Sequence, residues 1–533
     1  MSTTKSPHKD SHRSLIQSTS ILALGTLSSR ILGFLRDIVL ARLLGTGMKA
    51  DAFFVAFKIP NLFRDLIGEG ATNAAVIPVL SEYKEKEQGR AFADLVGILR
   101  VWALIILGVM TVSGIFLAPF IVRLMAPGFI ADPEKLFLTV HLTRWLFPYL
   151  ILIGLTAYSM GVLFTFRSFT APAFGPCLLN IAMIGSALIC LRFMKEPLAG
   201  LVWGVLIGGI LQLAFQWRAM SRIGIQSSRP KTLRHPAVIR IGRLLIPRMV
   251  GAGVYQLTVF IDTFCASLSM IVGEGGISAI YYANRIIQCP MGIFSVAMAS
   301  AVLPTLSGLA SKNDVVSLKK TLVFSLENIF FVMCPITIGL VLLSEPIIRI
   351  FFQRGEFGLY STMITASALS YYAIGLFSFG GIKILVTAFH ALQDTRTPVT
   401  VAALCLVVNA VLNFILMFPM KVGGIALASS VAGTLDFLIL FYVIDRRLGG
   451  LDSDLFLYFL KVLAAAFLTG IGIFWFWNHV PFADEIFKFI VLGIGSVLFY
   501  EAACLFLRVK QAQAVRDWVK ERFGRQRKTD EGI

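Results

Sequence analysis

Apolar runs of about 20 residues recur from residue 15 to residue 507, separated by short polar turns. About 20 residues at ~1.5 Å each span the ~30 Å hydrocarbon core of a bilayer, so each run predicts a membrane-crossing helix. About 14 runs are present, centred near residues 30, 66, 107, 151, 181, 207, 254, 292, 333, 375, 407, 435, 466 and 495. No charged interval between them is long enough for a soluble domain. The opening "MSTTKSPHKDSHRSL" leads into the first run without a small-residue cleavage site, so that helix is expected to be retained.

Composition agrees with this pattern. Hydrophobic residues make up 57% of 533 residues, 44 are Phe, and mean hydropathy is +0.80. This is far above a soluble chain, and the fold class is an all-α polytopic membrane protein. The net charge of +18 is distributed by loop. The stretch from Trp217 to Arg243 holds seven Lys and Arg, and the tail after Leu507 holds eight. Loops of opposite parity hold at most one, which puts both termini on the cytoplasmic side. Contact with anionic membrane lipids accounts for the basic loops without nucleic acid as a partner. The cysteines Cys177, Cys190, Cys265, Cys289, Cys334, Cys405 and Cys504 all fall in spans with no C-x-x-C pair, so they read as small apolar side chains.

The chain also matches itself. "IPVLS" (77–81) and "LPTLS" (303–307), the arginines ending "LAPFIVR" and "LSEPIIR", and the prolines ending "TAP" and "RTP" are each 226 residues apart. "AFFVAFKI" (52–59) and "AIYYANRI" (279–286) are 227 apart and set Lys58 opposite Arg285. Six spans fit in this interval. An even number means that both copies cross in the same direction, giving two six-helix bundles in a parallel pseudo-two-fold repeat plus two extra C-terminal helices. The expected organisation is a cytoplasmic tail over 1–14, an N-terminal lobe over 15–220, a basic linker over 221–238 and a C-terminal lobe over 239–447. Spans 13 and 14 follow over 448–507, then a basic tail over 508–533. Pro60 with Gly68–Gly70 in span 2, and Pro290 in span 8, predict interrupted helices. Gly200, Gly204 and Gly208 predict a close helix seam.

Charges inside the spans are the candidate chemistry. A central Arg or Lys costs roughly 2.5 to 3.5 kcal/mol, so it is expected to face a cavity, a partner or the interface. Arg42, Arg123 and Arg349 lie near span ends, where they read as interfacial anchors. Arg30 and Arg36 in span 1, Asp51, Lys58, Arg64 and Glu69 in span 2, and Arg285 in span 8 lie deeper. Arg30 and Arg36 are about 120° apart around a helix and share a focus only if Gly33 bends it or their side chains reach round. One reading is structural pairing, Arg30 with Asp37 or Lys58 with Asp65. The other is a site where cations from both repeats meet an anion, for which arginine's planar fork suits phosphate oxygens. Asp262 in span 7 and Lys383 in span 10 are candidates for an ion or ligand contact, or for pairing.

The block "SSRILGFLRDIVLARLLGTGMKADAFFVAFKIPNLFRDLIGEGA", with "PVLSEYK", "APGF", "FPYLILI", "AFGPCLLNI" and "YYANRI", closely resembles the MurJ (MviN) family of lipid II flippases in the MATE-like MOP exporter superfamily. The similarity runs from about residue 17 to 450. It implies a bacterial inner-membrane flippase, not an enzyme, that moves lipid-linked peptidoglycan precursor to the periplasmic leaflet. It carries the family's cavity arginines onto Arg30, Arg36, Arg64 and Arg285 and a portal acid onto Asp51, with Lys58 and Glu69 matching as well. Asn284 and Asp65 depart from some relatives, which have an acidic and a basic residue there. No cofactor is expected. Coupling to membrane potential or a monovalent cation, and contact with cell-wall synthesis machinery, stand open. Spans 13 and 14 are the candidate groove for the lipid tail. The alternatives are flipping of another polyprenyl-linked glycan and MATE-like drug export, the latter calling for a carboxylate-lined cavity. "DSD" (452–454) is the only D-x-D, and with no catalytic domain after it a glycosyltransferase is disfavoured. No P-loop or H-E-x-x-H is present.

Overall fold

The computed structural model describes residues 7–64, 73–86, 90–193, 196–224, 230, 232–451, 454–481 and 484–530. These residues form helices with no strands among them. They fall into two compact units, residues 1–278 with 354–358, and 279–353 with 359–533.

The first unit contains α1 (Pro7–Leu44), α2 (Met48–Arg64), α3 (Asn73–Lys86) and α4 (Arg90–Met125), then a 3₁₀ turn (Pro127–Ala131). α5 (Pro133–Leu146), α6 (Pro148–Thr165), α7 (Thr170–Phe193), α8 (Pro197–Arg222), α9 (Pro236–Ser267) and the short α10 (Ser269–Val272) follow. α11 (Gly276–Pro290) begins at the end of that unit and runs into the second. There it continues through a π-helical turn (Met291–Ser295) into α12 (Val296–Ser311). Next come α13 (Val315–Leu342), α14 (Ser344–Phe352), α15 (Leu359–Ile374), α16 (Leu376–Ala391) and α17 (Arg396–Leu448). α18 (Asp454–His479), α19 (Glu485–Phe506) and α20 (Lys510–Asp530) end the chain.

Nine stretches of the described chain are long and apolar enough to cross a membrane, and α15 with α16, bent by 46°, makes a tenth. One of the nine, α17, has 53 residues, about 80 Å at 1.5 Å per residue and more than two bilayer cores. Its backbone breaks at Lys421 (φ 53°, ψ −129°), so it supplies two crossings. With α1, α2 and α9, which carry the intramembrane charges, the helices agree roughly with the predicted number.

Span ends are set by local chemistry. Asp132, followed by Pro133, accepts the Lys135 N–H at 3.1 Å and starts α5, and Asp314 and Asp484 start α13 and α19 in the same way. The glycine seam lies between α7 and α8: a Cβ on Gly208 would come within 2.9 Å of the Leu179 Cα.

Prolines inside spans free the carbonyl four residues earlier, and two of these carbonyls have specific donors. Pro119 in α4 frees Ile115, whose oxygen accepts Arg144 Nε at 3.3 Å. Pro335 in α13 frees Phe331, whose oxygen accepts the Tyr500 hydroxyl at 2.8 Å. The Tyr458 hydroxyl donates to the Glu327 carbonyl one turn earlier, at 3.1 Å. Both C-terminal spans, α18 and α19, are therefore fastened to α13 by tyrosines.

Candidate functional site

In the first unit, α1 separates its two deep arginines. Arg36 is 6% exposed and Asp37 is fully buried. Arg36 donates through Nε and Nη2 to Asp37 Oδ1 at 3.0 and 2.8 Å, and through Nη1 to Asn180 Oδ1 in α7 at 3.0 Å. Asn180 in turn donates to the Ser29 carbonyl at 3.1 Å. The guanidinium fork is thus used inside the unit, with its sequence neighbour as counter-ion. Arg30 is the opposite case: it is exposed, and among the described residues it makes no hydrogen bond or ion pair.

Asp51, near the start of α2, is 2% exposed. One oxygen accepts Lys135 Nζ at 2.9 Å; the other accepts the Ser278 N–H at 2.9 Å and its hydroxyl at 2.8 Å. Lys135 is also buried, with its ammonium 4.4 Å from the Phe129 ring centroid. A carboxylate with three donors and an ammonium with a carboxylate and a ring meet the conditions under which a buried ion pair is tolerated. Two turns along α2, Lys58 donates to Thr263 Oγ1 at 2.5 Å and to the Val259 carbonyl at 3.5 Å, both in α9. The buried Asp262 lies close enough to attract its ammonium. Arg64 ends α2 half-buried. Asp65 and Glu69 lie outside the described residues, as does most of "DSD".

In the second unit, Arg285 sits half-buried on α11 and is held by its own helix. Its Nη2 donates to the Tyr281 hydroxyl at 3.0 Å, its Nη1 to Gln288 Oε1 at 3.3 Å, and its guanidinium carbon lies 5.2 Å from the Tyr281 ring centroid. Neutral groups at i−4 and i+3 are thus among the partners of this arginine, with Asn284 beside it in sequence. Pro290, one turn on, precedes the π-helical turn, the form the predicted interruption of span 8 takes. Lys383 is exposed on α16.

Sequence reasoning missed Lys135, Asn180, Thr263, Ser278 and Tyr281. Lys135 had one signal, a lone lysine at the head of an apolar span that also lacked a partner for Asp51. The others are ordinary polar residues whose role comes from the helix they face.

A family model described as lipid II flippase MurJ matches residues 40–493. A lipid II flippase MurJ of Burkholderia cenocepacia is 35% identical over 430 residues, covering 79% of this chain and 82% of the relative. A probable lipid II flippase MurJ of Haemophilus influenzae is 32% identical over 511 residues, 91% and 98% of the two chains. Among solved structures, a lipid II flippase MurJ in an inward closed conformation superposes with a TM-score of 0.77 at 25% identity, covering 91% of this chain and 98% of the other. An inward-facing multidrug resistance MATE family transporter of the MOP superfamily shares the fold at 14% identity, with a TM-score of 0.66 over 79% and 94% of the two chains.

Proposed function

The chain belongs to the lipid II flippase MurJ family, a family of membrane transporters and not of enzymes, and from that membership we propose that it carries lipid II from the cytoplasmic to the periplasmic leaflet by alternating access. The observation that carries the headgroup role is Arg30. Arg36, Asp51 and Lys58 are engaged within their own unit, whereas Arg30 stands exposed without a described partner in an otherwise apolar stretch of α1. A cation left so within a span is costly unless it serves a ligand, and a pyrophosphate offers the oxygens a guanidinium fork takes best.

In this reading Arg30 and Arg64 contact the anionic headgroup, and the family resemblance gives Arg285 the same role. Arg36, Asp51 and Lys58 shape the site by holding α1 and α2 against α7, α5 and α9. The isoprenoid tail stays in lipid along α18 and α19, where Phe467, Phe474, Ile494 and Val497 are exposed. A negative interior favours outward movement of an anion by about 2.3 kcal/mol per charge per 100 mV, a source of drive that needs no nucleotide. Coupling to a monovalent cation through Asp262 or Lys383, and contact with the cell-wall synthesis machinery, belong to this proposal as well.

The test is depletion of the protein in cells, followed by measurement of lipid II in each leaflet. Lipid II should accumulate on the cytoplasmic side, and the wild-type chain should reverse this while Arg30→Ala does not. No accumulation on depletion would overturn the function; full rescue by Arg30→Ala would overturn the headgroup role alone.

A further inference from the structure

Two residues after the last span ends at Phe506, the chain turns at Arg508 (φ 57°), and α20 begins at Lys510. The start of this element is anchored. Val509, Gln511 and Ala512 are buried, and Gln511 Nε2 donates at 3.0 Å to Oε2 of Glu327, itself buried in α13. Lys510 Nζ lies 4.0 Å from the other oxygen of the same carboxylate.

At about 100° per residue, Gln511, Val515 and Trp518 fall on one arc of the helix. That arc is buried at the first turn and largely exposed beyond it, with Val515 45% and Trp518 57% exposed. Lys510 and Glu521 border it, and Arg516, Asp517 and Lys520 lie on the far side. Over residues 510–530 the sequence has seven Lys and Arg against three Asp and Glu.

We propose that α20 is an interfacial helix whose Val515 and Trp518 face rests in the headgroup layer of an anionic bilayer, with the Gln511–Glu327 bond setting its rotation. Three features favour a lipid surface over a protein partner. The helix leaves a span through a three-residue turn, so it begins at membrane level. An apolar arc with Trp, set against a polar face carrying Arg516 and Lys520, is the pattern of helices that lie in an interface. The net positive charge complements anionic lipid, and each cation near such a surface adds to binding. The inference concerns the α20 surface and is independent of what the protein transports.

The test uses the full chain in vesicles. Six of the seven cysteines are buried and only Cys289 is exposed, so Cys289→Ser with Val515→Cys gives one accessible thiol for a fluorophore. Quenching by acrylamide, a neutral aqueous quencher, is compared in phosphatidylcholine vesicles and in vesicles with about one third phosphatidylglycerol. The expected result is quenching about threefold weaker with the anionic lipid, restored by Arg516→Glu with Lys520→Glu, and restored without mutation by about 1 M salt. Equal quenching in both vesicles would mean a solvated arm and would overturn the proposal. Weak quenching in both, unchanged by salt and charge reversal, would mean a face packed on protein and would overturn it too. A label at Asp517, on the opposite arc, should stay accessible throughout. If Gln511→Ala leaves the contrast between positions 515 and 517 intact, the Glu327 bond does not set the rotation.

Discussion

Arg36 and Arg30 show how little a residue's type says about its role. Both lie in the same apolar helix, six residues apart, and the spacing left open whether they share a focus. Arg36 is enclosed by Asp37 and Asn180, while Arg30 is exposed. One of the two readings at this scale paired Arg30 with Asp37 and Lys58 with Asp65, the last outside the described residues. The pairs found are Arg36 with Asp37 and Lys58 with the Asp262–Thr263 corner of α9. Asp51, which the family resemblance placed at a portal, is buried against Lys135 and Ser278. Removing one member of a buried pair leaves the other uncompensated, at a cost of about 3 to 5 kcal/mol. Lys135→Ala should therefore lower thermal stability in detergent by that order, and adding Asp51→Asn should recover part of the loss. A single-mutant loss below about 1 kcal/mol, the range of an exposed pair, would contradict the buried assignment.

Helices in this chain are limited by prolines and caps that the sequence shows and completed by donors that it does not. Pro335 orphans the Phe331 carbonyl, and the Tyr500 hydroxyl, far along the chain in α19, supplies the missing hydrogen bond. Tyr500→Phe should cost about 1 kcal/mol in thermal unfolding. In a Pro335→Ala background the restored N–H satisfies that carbonyl, so the same substitution should cost close to nothing. Equal costs in both backgrounds would break the argument. Outside the membrane, Asp394 ties the start of α17 to its far end. It accepts the Arg396 and Thr397 N–H groups and the Thr397 hydroxyl, and Arg447 Nη1 donates to it at 2.6 Å. The Thr397 N–H, then its hydroxyl and the Arg447 guanidinium, hold this carboxyl below its ordinary value of 3.8. A depressed carboxylate contributes its stability above the unfolded pKa and loses it as pH falls through the folded one. Wild type should accordingly lose stability relative to Asp394→Asn as pH drops below 3.8, and the gap between them should stay flat above pH 5. A gap that kept changing between pH 5 and 7 would assign the effect to another group.

At the scale of the whole molecule, the two arginines let the proposed headgroup role be tested apart from folding. Arg30→Ala removes no described contact, so the protein should melt as wild type does while failing to restore lipid II flipping. Arg36→Ala strands Asp37 and Asn180 and should lower both stability and flipping. Similar destabilisation by the two substitutions would remove the distinction on which Arg30 was chosen. The approximate number of crossings was legible in the sequence because bilayer thickness converts a local property, the length of an apolar run, directly into a helix. The repeat was legible as a constant shift, and the opening block with its motifs identified the family. Which charge meets which was not legible. It depends on the rotation of each helix about its axis and on neighbours 84 residues away for Asp51 and Lys135, or 144 for Arg36 and Asn180. A one-dimensional pattern carries neither quantity. The sequence by itself determined that the chain is a bundle of membrane-spanning helices with costly cations in them; only the tertiary structure decided which of the described cations, such as Arg36 and Lys58, are spent on holding helices together and that Arg30 is exposed. Burial is a property of surroundings, and the surroundings of a side chain are assembled from distant parts of the chain.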